Sequence, residues 1–497
     1  MATRTYQDAI EHLNTLQSNA ATLATAKRIS EASIPEMVDY LERIGYKQED
    51  LNRLNVLHVT GTKGKGSTCA FADSILRQIK PEWKVGLYTS PHLVAVRERI
   101  RINGVPISEE DFAKFFFEVW DRLEANPEMK YTTTSPKPMY FRYVTLVAFH
   151  AFLTLKVDAT ILEVGVGGAY DSTNIVPSPV VTGVSALGID HTAVLGKTLG
   201  EIAWQKGGIY KEGVPAITVN QPDEGMEVLK KRSTERKVIF HIILPKTLLR
   251  GLLSGLAGTH QVQNAKLAVQ LVQKFLEVTE SSRPDIPLSP AFVRGLEATR
   301  WPGRCQTVAD PKFPGTTWFL DGAHTTESLD CCMQWFVSPD VGLRVAEGSK
   351  RPTRVLVFNC THGRSGTRFL ASMLAKAATQ IQLHESIEEA DALFDRVVFC
   401  TNVTYADGHF KGDLTAVSIP EEDLAHLVTQ HELASAWASL IPSFPADSIH
   451  VLPSVEHATR IVRDLQDQGH SVDVLVTGSL HLVGGMVEVA GLSDVAL

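Results

Sequence analysis

The chain has 497 residues, of which 44% are hydrophobic and 21% charged, with 35 Gly, 24 Pro and a formal net charge of −8. This usage excludes a disordered or fibrous chain, and the length exceeds what one hydrophobic core usually supports, so two domains are expected. The acidic balance excludes a general nucleic-acid or anionic-membrane surface, while leaving room for a small anion in a local basic pocket.

The first predicted element is an amphipathic helix presenting Tyr6, Ile10, Leu13 and Leu16. It carries acidic residues and no apolar signal core, unlike a secretory or mitochondrial presequence. A strand, NVLHVTG, then runs into the loop GTKGKGS. Gly61, Gly64 and Gly66 let this backbone turn tightly with its N–H groups inward, and a helix beginning near Ser67 adds the positive end of its dipole. Lys65 is the candidate phosphate lysine, with Thr62 and Ser67 in the same loop, whereas Lys63 reads as an exposed charge. The standard phosphate loop has Ser or Thr directly after the lysine, and here Gly66 intervenes.

KVGLYTS is the second strand and places Ser90 just beyond its end, where a serine before proline is most often a turn residue. TLVAFHAFLTL, from Thr145, is too short to span a bilayer. ATILEVGVGG puts Glu163 in an otherwise apolar strand, a costly position unless the carboxylate is paired or holds a cation. PVVTGVSALGIDH brings Asp190 and His191 to the end of another strand. A phosphate loop, a hydroxyl, a buried carboxylate and an imidazole at neighbouring strand ends suit a Mg²⁺-nucleotide site. Lys206, on the helix of IAWQKGGIY, reads from spacing alone as a solvated charge, and GVPAITV is a further strand.

From Glu277 to Arg304 the chain carries four prolines, and a second strand series follows: TTWFLDGAH, TRVLVFNCTHGRSG, RVVFCTN and DVLVTGSLH. The domain boundary is therefore expected near Arg300, giving domains 1–300 and 301–497, with an exposed loop insertion from Val341. Nearly continuous apolar strands alternating with helices predict an α/β fold with mainly parallel sheets. Six cysteines without metal or disulfide spacing fit a reducing compartment, which makes the Asn359-Cys-Thr and Asn402-Val-Thr sequons chance matches.

The ordered set GTKGKGS, TSPH, LEVGVGG-x-x-D-x-TN, GIDH, IAWQKGGI, WPGR, LDGAH and TGSLH resembles the folylpolyglutamate synthase family of the Mur ligase superfamily, in its eukaryotic form. The resemblance runs from about Thr5 to about Gly485, in the family's order. It implies a phosphate-loop N-terminal domain like the central domain of Mur ligases and a smaller Rossmann-like C-terminal domain. The implied reaction is ATP-dependent addition of L-glutamate to reduced folates. Ser90, Glu163 and His191 would hold Mg²⁺, and Lys206 would be carbamylated and help hold a second Mg²⁺, against its reading from spacing. Asn264, Arg304 and Asp321 would contact ATP. His324, as a catalytic group, and Ser479 would lie around the incoming glutamate, with Asp171 on the pterin side. A monovalent cation is left open.

Bacterial relatives often have Arg where this chain has Ala169, Asn where it has Gln261, and Glu where it has Gln205. A monomer in the cytoplasm is expected, with a mitochondrial form left open, and the charge balance and the short apolar run lead to expectations of no nucleic-acid partner and no membrane insertion. Dihydrofolate synthase, the same chemistry on dihydropteroate, is the nearest alternative. A cell-wall Mur ligase fits less well, because nothing like its UDP-sugar-binding domain precedes the loop. A regulatory GTPase should show an N-K-x-D motif, and the chain contains no Asn-Lys pair.

Overall fold

The computed structural model describes residues 4–17, 31–131, 134–243, 256, 261–280, 289–344, 351–360, 365–408, 413 and 425–497. Part of the proline-rich stretch before Arg300, part of the insertion from Val341, Thr361 of the first sequon and His260 lie outside them. The chain forms two compact units. One comprises Met1–His92, Arg97–Gly255 and Gln261–Thr299, and the other Leu93–Val96, Leu256–His260 and Arg300–Leu497.

Among the described residues, the first unit holds an eight-stranded sheet built from β1 (Val56–Thr60), β2 (Val85–Tyr88), β3 (Ile100–Ile102), β4 (Val105–Pro106), β5 (Ala159–Glu163), β6 (Val181–Val184), β7 (Pro215–Thr218) and β8 (Ile239–Ile242). Their order is β4-β3-β2-β5-β1-β6-β7-β8, parallel from β2 to β8 and antiparallel at β3 and β4. β1 is central and buried at every position, and apart from His58 its residues are apolar or β-branched, as a strand covered on both faces requires. The helix Lys65–Ile79 leaves its end, and the helix Pro290–Ala298 crosses it so closely that a Cβ on Gly295 would lie 2.6 Å from Ile75 Cα. Ser74 Oγ donates to Gly295 O across the same contact at 2.7 Å.

The expected N-terminal helix spans Tyr6–Thr15, capped reciprocally by Thr5 and Asp8, and buries Ala9, Ile10 and Leu13. The apolar run from Thr145 lies within the helix Tyr140–Leu155. No helix among the described residues is long and apolar enough to cross a membrane.

The second unit holds a six-stranded sheet of β9 (Gln306–Ala309), β10 (Thr316–Leu320), β11 (Thr353–Phe358), β12 (Arg396–Cys400), β13 (Ile449–Leu452) and β14 (Val472–Thr477), ordered β13-β12-β11-β14-β10-β9. Among the described residues only β9 pairs antiparallel in this sheet. The two-residue period of a strand divides its core into two layers: Phe319, Leu356, Phe358, Phe399 and Leu475 pack in one, Trp318, Leu320, Val355, Val357 and Val476 in the other. Both faces are therefore covered by apolar packing, as mainly parallel sheets require.

Candidate active site

In the first unit the phosphate loop lies at the carboxyl end of β1. Its helix starts at Lys65, two residues earlier than the sequence suggested, because Gly64 at φ 85° supplies the turn. No side chain caps this helix, so the amides of its first turn remain available to an anion. Two glycines are fixed by close approach. A Cβ on Gly61 (φ 148°) would lie 1.9 Å from Ser185 Oγ, and one on Gly64 would lie 2.1 Å from Asn264 Oδ1. Ser185 Oγ donates to Lys63 O at 2.7 Å, and Thr62 Oγ1 donates to Gly188 O at 3.0 Å, so the segment after β6 forms one wall of the loop. The other wall is the helix Gln261–Glu280, where Asn264 Nδ2 donates to Gln261 Oε1 at 2.8 Å and Gln261 Nε2 to Ser67 Oγ at 3.3 Å.

Lys206 ends the helix Leu199–Lys206 and is 3% exposed, its Nζ donating to Gly61 O at 2.7 Å. The reading of Lys206 as a solvated charge is thus corrected: the lysine is folded under the phosphate loop. Burial, then the neighbouring Lys65, pushes its pKa well below the usual lysine range, against the opposing pull of Asp190 and Asp171. Lys63, with its side chain 38% exposed, pairs with Asp190 at 3.3 Å.

Glu163 is the last residue of β5 and 4% exposed, and its Oε2 accepts from the Ser90 amide at 3.1 Å. His191 does not end a strand as expected. β6 stops at Val184, and His191 follows a loop at φ 50°, an uncommon conformation for histidine, as N-cap of the short helix Thr192–Leu195. Burial lowers its pKa; Asp190 opposes this, and Lys65, Lys206 and Lys63 reinforce it, which favours the neutral, ligating imidazole. Among the described residues no group of three or more His, Cys, Asp and Glu could hold a metal. Glu163 and Ser90 do meet, through the Ser90 amide, and a carboxylate and a hydroxyl are oxygen ligands of the kind Mg²⁺ takes beside phosphate oxygens and water.

Asp171 is buried, and both its oxygens are engaged: Oδ1 accepts from the Thr173 amide and hydroxyl at 3.0 and 2.6 Å, and Oδ2 from the Val166 amide at 3.0 Å. Ser185, Gln261 and Thr173 were not singled out as site residues by sequence reasoning. Gln261 was visible only as a departure from bacterial relatives.

The second unit gathers its own motifs at the ends of β10 and β14. Asp321 Oδ2 accepts from the Cys305 amide at 2.7 Å and Oδ1 from the Ala323 amide at 2.9 Å. Gly322 N donates to Gly303 O at 2.9 Å, and a Cβ on Gly322 would meet Leu480 Cδ1 at 2.4 Å and Arg304 Nη1 at 2.6 Å. WPGR, LDGAH and TGSL therefore converge on one glycine. His324 Nδ1 lies 2.9 Å from Gly322 O, and Ser479 is buried at the N-cap of the helix Leu480–Val489 without capping it through its side chain.

The sequence is 41% identical over 513 residues to the folylpolyglutamate synthase of Saccharomyces cerevisiae strain S288c, covering 100% of this chain and 88% of the yeast protein. The chain belongs to the folylpolyglutamate synthase family. The proteins of yeast strains YJM789 and RM11-1a match at the same identity and coverage. No protein-family profile matches the chain. Among solved structures, Mycobacterium tuberculosis folylpolyglutamate synthase complexed with ADP and AMPPCP superposes at a TM-score of 0.68 and 22% identity, over 98% of this chain and 99% of that one. Escherichia coli FolC in complex with DHPP and ADP does so at 0.64 and 22%, over 99% of each chain. At this identity the likeness establishes the folylpolyglutamate synthase fold.

Proposed function

We propose that this member of the folylpolyglutamate synthase family adds L-glutamate to the γ-carboxylate of reduced folates and their polyglutamates, consuming ATP and releasing ADP and phosphate. The observation that carries this reading is the whole-chain 41% identity to the yeast enzyme. The phosphate loop supports it independently. An amine does not displace oxide from a carboxylate at neutral pH, so the carboxylate must first become an acyl phosphate. Transfer of the γ-phosphoryl group depends on positioning and charge stabilisation. Lys65 and the uncapped amides of its helix supply both, and Asn264 is assigned to the nucleotide.

Ser90, Glu163 and His191 would hold Mg²⁺, which when bound would neutralise charge developing on the transferring phosphate. In the second unit, Arg304 and Asp321 are assigned to ATP, and His324 and Ser479 to the incoming glutamate; Asp171 is assigned to the pterin side through the turn it anchors. Each added glutamate brings another carboxylate, which hinders membrane passage and retains the folate. A monomer acting in the cytoplasm accords with this reading.

A folate carrying oxygen-18 in its γ-carboxylate tests the acyl phosphate: label is expected in the released inorganic phosphate. Label retained entirely in the amide product and unreacted folate would exclude that intermediate.

Lys206 is proposed to carry a carbamate and to join a second Mg²⁺ site. Its buried amine, driven toward the neutral form, is the nucleophile that carbon dioxide requires. Protein equilibrated with ¹³C-bicarbonate should show a carbamate carbon resonance that is absent from K206A, and its absence from the wild type would contradict the modification.

A further inference from the structure

His58 lies in the middle of β1, wholly buried, and no step above uses it. Its Nε2 is 2.9 Å from Thr173 Oγ1, which donates to Asp171 Oδ1 at 2.6 Å. A threonine hydroxyl has one proton, and an ionised carboxylate accepts only, so the imidazole is the donor to Thr173. Nδ1 has no hydrogen-bond partner among the described residues. Burial, with Lys211 nearby, pushes the His58 pKa down to about 3, so the ring stays neutral with its single proton on Nε2.

The next links reach the phosphate loop. Through the Val166 amide, Asp171 fixes the turn Gly165–Gly168, and Gly167 O accepts from Thr60 Oγ1 at 2.6 Å where β1 enters the loop. Beyond the turn, Ala169 N donates to Gln205 O at 2.8 Å, and Asn174 Nδ2 bridges Ala169 O and Gly208 O at 3.0 and 3.1 Å. The glycine turn is thus bound on one side to the phosphate loop and on the other to the helix that carries Lys206.

We infer that His58 and Thr173 are positioning residues for the ligase reaction, setting through Asp171 the glycine turn that holds the phosphate loop and the Lys206 helix in register. Neither touches a reacting atom. The inference rests on the function proposed above.

The test compares T173V, T173S, H58L, H58Q and the double variant H58L/T173V for glutamate transfer, and for hydrogen exchange at the Val166 amide. T173V, close in shape but without the hydroxyl, should lower kcat by about tenfold or more, because a small misplacement of reacting groups is costly. T173S keeps the hydroxyl and H58Q keeps a donor near the Nε2 position, so each should stay within about threefold of wild type. The double variant should be no worse than T173V, since the two residues act in series. Val166 exchange should quicken in T173V and H58L. Should T173V not fold, H58L against H58Q carries the same comparison. Unchanged Val166 exchange in T173V or H58L overturns the inference, as do equal losses in T173V and T173S or additive losses in the double variant. Wild-type protein that adds no glutamate overturns the functional reading instead, while exchange at Val166 still reports on the hydrogen-bond chain.

Discussion

K65A is expected to lower kcat/KM for glutamate addition by about 100- to 1,000-fold, the range seen when one preorganised charge-stabilising donor is removed from a transition state. Lys65 opens the helix of the phosphate loop, directly after a glycine whose left-handed conformation and contact with Asn264 leave no room for a side chain. The backbone of the loop is held by other residues: Ala186 O accepts from the Thr62 and Lys63 amides at 2.9 and 3.1 Å, and Lys206 binds Gly61 O. Removing the Lys65 ammonium should therefore leave the fold unchanged. Thermal unfolding close to wild type together with the rate loss is the expected pair of results. A K65A protein with near-normal kcat/KM would remove the lysine from the mechanism.

E163Q should raise the Mg²⁺ concentration needed for half-maximal activity and lower kcat by about 100-fold, because a bound metal contributes several kcal/mol of transition-state stabilisation. The amide isostere separates charge from structure. Its oxygen can still accept the Ser90 N–H now bound by Glu163 Oε2, so the turn after β2 keeps its anchor. Activity titrated against Mg²⁺ reads the difference. An unshifted Mg²⁺ curve in E163Q would separate Glu163 from the metal and leave it as an anchor for the turn alone.

The strands read from the sequence and the strands it concealed differ in position. β1, β2, β5, β6, β7, β10, β11, β12 and β14 announce themselves as apolar runs because both of their faces are covered. β4 and β8 end one sheet and β9 and β13 end the other. All four are partly exposed, with a mixed pattern that carries no such signal. β3, beside β4, hides among the arginines of RERIRING. The phosphate loop was legible because its glycine spacing is local. The burial of Lys206 was not, since it depends on Gly61, 145 residues away in sequence. Gln261 and Ser185 escaped for the same reason: each acts on the loop from a distant segment, and a buried glutamine or serine has no distinctive spacing. Asp190 was read beside His191, but its partner, Lys63, belongs to the phosphate loop 127 residues away in sequence, so the pair could not be read from either motif alone.

The central claim is glutamate addition to a reduced folate. Its most direct test is incubation of the purified protein with ATP, Mg²⁺ and labelled glutamate, with tetrahydrofolate in one reaction and dihydropteroate in the other, and products resolved by mass. Successive glutamate additions on tetrahydrofolate, without product from dihydropteroate, are the predicted result. Product from dihydropteroate alone would make the protein a dihydrofolate synthase with the same ATP machinery, and label in neither product would contradict the assigned chemistry.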